Sequence, residues 1–317
     1  MNLALDMMGG DFAPLEAVKG LLKYFSQSNK SSVVYCLGDE DELEALFEKY
    51  NVPSDRAVMF HTSEIIEYHD HPTKALREKP DSSIAKGFEL LASGKVDAFL
   101  SSGNTGAMLV GSMFFLKPIE GIMRPTISTM IPKIGGGTGL MVDVGLNVDC
   151  KPQHLEQFAV LGSLYAENII GIKNPTVGLL NVGEEESKGN ALCQAAFPLL
   201  KQNTSINFTG NVEGRDIFSG GTDVTVCDGF TGNVVLKLGE SFYDIAKSRD
   251  VHADEFINRF CYENYGGTPV LGIEKPVIIG HGISNDVAFA NMLALAEKMI
   301  DTDLCGSIRS AFQSHSS

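Results

Sequence analysis

The residues Phe99–Leu109 read FLSSGNTGAML. An apolar run stops at Leu100, then Ser101, Ser102, Gly103, Asn104, Thr105 and Gly106 follow before the chain turns apolar again. Small hydroxyls, an amide and two glycines in a row bring several N–H and O–H donors to one point. Such a point suits an oxyanion, above all where a helix follows and adds its positive N-terminal end. Gly103 and Gly106 let the backbone approach a ligand closely. The same loop also reads as a tight turn with a Ser or Thr helix cap.

Other loops repeat this make-up. DMMGGD places Asp6, Gly9, Gly10 and Asp11 together, and DVGLNVDCKP brings Asp143, Asn147, Asp149 and Lys151. NVGEEESKGN holds Glu184, Lys188 and Asn190; TGNVEGRD holds Asn211 and Arg215; CDGFTGNVVLK holds Asp228 and Asn233; GHGISND holds His281, Ser284 and Asn285. Cations are few, and Arg77, Lys79, Lys188 and Arg215 are the candidates for an anion clamp.

The elements that must carry these loops are legible as alternating strands and helices. Asn2–Met7, Val33–Leu37, Ala57–His61 and Val96–Leu100 read as strands. So do the short runs 125–131, 140–143, 176–182, 207–209, 223–227 and 277–280, with 125–131 and 140–143 joined as a hairpin through KIGGGTG. Asp11 with Pro14, Asp39, Ser82 and Pro152 mark helix starts. The first helix presents Leu15, Val18, Leu22 and Phe25 on one face. Strands alternating with helices predict an α/β protein with a mostly parallel sheet covered on both faces, in which ligands sit at the carboxyl ends of the strands. The chain is expected to form one catalytic unit over 1–317, with a smaller dimerisation subdomain around 241–265. The tail SIRSAFQSHSS is expected to be disordered.

Composition narrows the function. The 317 residues carry 25 Lys and Arg against 40 Asp and Glu, a formal charge of −15, so a general affinity for nucleic acid is excluded. Six cysteines without a CxxC pair, and a start without a basic, apolar leader, read as a reduced cytoplasmic protein. GxSxG and GxxxxGK[ST] are both absent. GGGTG precedes a strand where a dinucleotide loop needs a helix. His69 and His71 have no partner cluster and read as surface loop, so no metal or other cofactor is expected; Cys36 and Cys227 read as buried thiols.

Taken together, LALDMMGGD, ALREKPDSSI, SSGNTGA, DVGLNVDCKP, LLNVGEEESKGN, GNVEGRDI, VCDGFTGNVVLK and GGTPVLG…HGISN resemble, in order along nearly the whole chain, the bacterial phosphate acyltransferases of phospholipid synthesis. The resemblance implies a three-layer α/β/α sandwich similar to isopropylmalate dehydrogenase, working as a homodimer. It implies transfer of an acyl group from acyl carrier protein to inorganic phosphate, and handover of the acyl phosphate to a membrane glycerol-3-phosphate acyltransferase. Both partners are then acidic, so carrier docking needs a local basic patch.

Site roles follow from the chemistry. Phosphate needs little activation, but it must be held beside the thioester carbonyl, and the carbonyl oxygen needs donors as charge grows on it. Ser102, Gly103, Asn104 and Thr105 are assigned to phosphate, at a rim that includes Gly9, Gly10 and Glu184. Arg77, Lys79 and Lys188 supply charge. Asn147, Asn211 or Asn233 holds the carbonyl; Asp6, Asp11, Asp143 and Asp228 orient donors; His281 protonates the leaving sulfur. The segment 242–264 is shorter and more acidic than the resemblance implies, with acids at 244, 250, 254, 255 and 263. Its stripe of Phe256, Ile257 and Phe260 reads as an ordinary packed helix, which argues against direct peripheral contact with a membrane. Two other readings fit the same loops: a metal- and NAD-dependent dehydrogenase of similar fold, and a non-catalytic acyl-carrier sensor.

Overall fold

The structure, a computed structural model, describes residues 1–249 and 255–313. Its strands are β1 (Asn2–Asp6), β2 (Val33–Gly38), β3 (Ala57–His61), β4 (Ala98–Ser101), β5 (Thr126–Pro132), β6 (Thr138–Val142), β7 (Thr176–Asn181), β8 (Asn207–Glu213), β9 (Val224–Val226), β10 (Thr268–Leu271) and β11 (Val277–Ile279). The α-helices are α1 (Leu15–Gln27), α2 (Glu40–Tyr50), α3 (Pro72–Glu78), α4 (Ser83–Ala92), α5 (Thr105–Phe115), α6 (Pro152–Tyr165), α7 (Ala191–Gln202), α8 (Gly229–Ser248), α9 (Glu255–Asn258), α10 (Asp286–Asp301) and α11 (Leu304–Gln313). The chain forms two compact units, one of Met1–Pro118 with Tyr262–Cys305, the other of Ile119–Cys261 with the remainder.

In the first unit the strands run in the order β3-β2-β1-β4-β11-β10, parallel except that β10 opposes β11. The residues of β4, and those of β1 after Asn2, are buried on both faces, so helices cover both sides and the continuous apolar runs are explained. Asp39 and Ser82 cap α2 and α4 through Glu42 N–H (3.0 Å) and Ala85 N–H (3.3 Å), as their sequence positions predict.

The first helix differs from expectation. Asp11 does not cap it; the position before Leu15 is Pro14, and the Asp11 N–H instead donates to Gly282 O at 2.7 Å. Its buried face is Ala17, Val18, Gly20, Leu21 and Tyr24, displaced from the predicted stripe because α10 seats Phe289 against Gly20.

In the second unit the order is β5-β6-β9-β7-β8, with the predicted β5–β6 hairpin antiparallel and the other pairs parallel. Helix α6 begins at Pro152 and buries Leu155, Phe158, Leu161 and Tyr165, as the spacing predicts. Phe256 and Phe260 stack edge-to-face with one another, and Phe260 does the same with Phe218 and Phe242. The aromatic stripe is therefore packed, while Asp250 and Asp254 lie outside the described residues. The tail is helical through Gln313, contrary to the expected disorder, because Leu304, Ile308 and Phe312 are buried; Ser314–Ser317 lie outside the described residues. Among the described residues no helix is long and apolar enough to cross a membrane.

Candidate active site

Parallel strands put their following loops at one sheet edge, so each unit gathers its own strand tips. In the first unit the tips of β1, β4 and β11 meet. Asp6, at the end of β1, is buried; its Oδ2 accepts the Ser101 hydroxyl at 2.7 Å and its Oδ1 accepts Met8 N–H at 3.0 Å. The Ser101 Oγ in turn accepts Gly103 N–H at 3.0 Å. A chain of bonds thus runs from the Asp6 carboxylate into the loop after β4. Burial pushes the Asp6 carboxyl above its ordinary range, against the lowering pull of Ser101 and Ser83. Gly9 lies so close over this loop that a Cβ would come 2.5 Å from both Asp6 Oδ2 and Gly103 N, so no other residue fits.

Asn104 caps α5. Its Oδ1 accepts Ala107 N–H at 2.9 Å, and its amide nitrogen donates to Glu67 O (2.8 Å), Tyr68 O (3.3 Å) and Asp70 O (3.2 Å). Its side chain is wholly engaged in shaping the loop. Helix geometry leaves the N–H groups of Thr105 and Gly106, in the first turn, without partners inside α5. Thr105 is exposed, while Ser102 is buried with its hydroxyl against Met292 Sδ at 3.6 Å.

The Tyr68 hydroxyl donates to Ser102 O at 3.1 Å; burial, then the charges of Asp11 and Asp6, push it up to about 12, so it stays a donor. Arg77 is exposed and has no acidic partner among the described residues, whereas Lys79 pairs with Asp70 at 2.6 Å. The His281 carbonyl accepts from Ser284. Tyr68 and Ser101 were not among the sequence-derived candidates. Ser101 shows only as the polar end of an apolar strand, and Tyr68 sits 34 residues from its partner with no local signal.

The second unit collects Asp143, Asn147, Glu184, Lys188, Asn211, Asp228 and Asn233. Here the side chains tie loops together. Asp143 accepts N–H from Gly145 (2.9 Å), Leu146 (3.0 Å) and Asn147 (2.8 Å), and the Asn147 amide at 2.7 Å. The Asn147 amide also donates to Pro125 O at 2.9 Å, so both its hydrogens are engaged. Asn211 receives Asn181 and donates to Glu185 O at 2.8 Å, closing the acidic loop. Asp228 caps α8 through Thr231. A Cβ at Gly232 would overlap the Asp143 carbonyl.

Asn233 is exposed, and its amide makes one bond among the described residues, to Val144 O at 3.2 Å. Lys188 and Glu184 are exposed, and Lys188 has no acidic partner among the described residues.

Cys227 and Cys36 are buried, as predicted. Burial, then Asp143, pushes the Cys150 thiol up to about 11; burial also raises Cys193 and Cys227, so these sulfurs remain thiols. Leu155, Leu180, Cys193 and Cys227 line a cavity of about 200 Å³ together with the polar Asn181, Asn190, Asp228 and Thr231. Among the described residues no three His, Cys, Asp or Glu side chains group as metal ligands.

The chain is similar to known proteins over nearly its whole length. A family model described as "Fatty acid synthesis protein" matches residues 1–307. The phosphate acyltransferase of Dictyoglomus turgidum is 43% identical over 322 residues, covering 96% of this chain and 95% of that one. The phosphate acyltransferase of Halothermothrix orenii is 42% identical over 328 residues, covering 98% of each. Among solved structures, a phosphotransacetylase from Streptococcus pyogenes superposes with TM-score 0.66 at 16% identity, covering 95% of this chain and 94% of that one. A branched-chain phosphotransacylase from Enterococcus faecalis gives 0.63 at 14%, covering 95% and 99%. At such identities the structural likeness speaks for the fold alone.

Proposed function

We propose, from the premise that the chain belongs to the family described as "Fatty acid synthesis protein", whose relatives are named phosphate acyltransferase, that it transfers an acyl group from acyl carrier protein to inorganic phosphate. Acyl transfer involving phosphate is what membership gives; the carrier, the roles below and the fate of the product are our reading.

The observation that carries the reading is the loop Ser101–Gly106. Its shape is fixed from Asp6 through Ser101 and from Asn104 to three carbonyls, and it leaves first-turn N–H groups with no partner inside α5. Thr105 and Gly106 hold phosphate there, with Arg77 as the unpaired cation. Asp6 and Asn104 act as positioning residues. The strand tips of the second unit serve the acyl group. Asn233 retains an amide hydrogen for the thioester oxygen, and Lys188 adds positive charge as that oxygen becomes anionic. Phosphate attacks the carbonyl carbon, the C–S bond breaks, and the proton that hydrogen phosphate gives up passes by way of His281 to the leaving sulfur.

The apolar outer face of α8, with Phe230, Val234, Leu238 and Ile245 exposed, supports a homodimer built on that helix. The acyl phosphate, a reactive mixed anhydride, is then handed to a membrane glycerol-3-phosphate acyltransferase.

Incubating the purified protein with acyl carrier protein substrate, with and without phosphate, tests the reading. It predicts free carrier thiol and acyl phosphate by mass only when phosphate is present. Binding without release would make the protein a sensor and overturn it.

A further inference from the structure

We infer that the cavity beneath the tips of β7 and β9 receives the first carbons of the acyl chain and sets the length at which added carbons stop contributing to binding. The inference rests on the acyl-transfer reading above.

Three observations carry it. First, one part of the lining is apolar. Leu155, Leu180 and Cys227 are buried, and Cys193 forms a wall from the first turn of α7. Thiols kept protonated by burial behave as small hydrophobic groups. Second, side chains of the polar lining already have partners within the protein, Asn190 through its Oδ1, which accepts Cys193 N–H. The Asn181 amide donates to Lys188 O and Asn211 Oδ1, its oxygen accepts Val182 N–H, and Asp228 receives both the N–H and the hydroxyl of Thr231. The side-chain amide of Asn181 has no hydrogen left for the amides of a pantetheine arm. A hydrocarbon needs none.

Third, the size is bounded. An apolar cavity of about 150 Å³ takes a six-carbon ring, so one of about 200 Å³ takes roughly eight carbons. Asp228, the cap of the helix that carries Asn233, is part of the lining, so an acyl chain seated here with its carbonyl at Asp228 has that carbonyl beside the helix start.

N-acetylcysteamine thioesters of butanoyl to dodecanoyl groups, titrated by calorimetry without phosphate, test the cavity independently of turnover. Affinity is expected to rise about fourfold per methylene up to roughly eight carbons and then level off. Cys193→Phe, which fills the wall, should lower the octanoyl-to-butanoyl affinity ratio at least tenfold; Cys193→Ala, which enlarges it, should move the plateau to longer chains.

An affinity independent of chain length in the unmodified protein overturns the inference. So does an unchanged ratio in a Cys193→Phe protein whose melting shows it folded. If that variant does not fold, the unmodified profile and the Ala variant decide. Loss of phosphate-dependent thiol release with this length profile intact would sink the proposed reaction and leave the cavity standing.

Discussion

At the tips of the first unit, Asp6, Ser101 and Asn104 hold a loop whose next two residues keep N–H groups that α5 cannot use. At the tips of the second, Asp143, Asn147, Asn181 and Asn211 bond to their own loops and to one another, and a cavity with Leu155, Leu180, Cys193 and Cys227 in its wall lies at the ends of β7 and β9. Both sets use Asp, Asn, Gly and Ser or Thr. The difference lies in where the donors go. In the first unit the side chains fix the loop that leads into a helix start; in the second they close the loops after β6 and β7 on themselves, while Asn190 and Asp228 cap α7 and α8 as Asn104 caps α5. In the function proposed above, the first set grips phosphate and the second the acyl group.

The comparison breaks most readily at its two glycines. Gly232→Ala brings a methyl to 1.9 Å from the Asp143 carbonyl oxygen and should cost about 4 kcal/mol, while Gly9→Ala, whose nearest contacts are 2.5 Å from Asp6 Oδ2 and the Gly103 backbone nitrogen, should cost about 3 kcal/mol; denaturant unfolding of both measures the order. Asn147→Ala strips two donors from buried acceptors and should cost about 2–3 kcal/mol, with activity falling as the loop loosens. Thr105→Ala, exposed in the first unit, should cost under about 0.5 kcal/mol yet raise the phosphate KM severalfold. If Thr105→Ala destabilised and Asn147→Ala did not, the contrast would be reversed.

The cations sharpen the same contrast on a smaller scale. Arg77→Ala should raise the phosphate KM about fivefold, and Lys79→Ala less, because Lys79 is already paired with Asp70. The smallest effect is a pH dependence. The Asp6 carboxyl is raised by burial, so the folded state holds its proton more tightly than the unfolded chain. The stability this contributes is complete below about 3.8 and is lost as pH rises through the higher folded value. Compared with Asp6→Asn, the unmodified protein should therefore lose relative stability as pH rises above about 3.8; a constant difference would contradict the burial.

The sequence carried the fold where the signal is local. Asp39, Ser82 and Pro152 start helices because a cap or a proline acts within one turn. Asp11 misleads because its N–H answers to Gly282, 271 residues away, and the tail misleads because its serines hide Ile308 and Phe312 from a composition argument. The candidate site divides the same way. The strand-tip residues were legible as a set, since small polar residues after apolar runs are a local pattern. Which of them keep free donors was not. That depends on distant carbonyls, such as Pro125 O for Asn147 and Glu67 O for Asn104. Tyr68 and the Ser101 relay belong to this second class.

The central claim is that phosphate is gripped by backbone donors at the start of α5, and Thr105→Pro addresses it directly. Proline is tolerated at the first helical position, and Asn104 before it already has a ψ of 105°, outside the α region that a following proline disfavours, so the change deletes the N–H and the hydroxyl while sparing the helix. Steady-state kinetics on this variant should show the phosphate KM raised at least tenfold with the acyl carrier KM within about twofold. A phosphate KM equal to that of the unmodified enzyme would contradict the account.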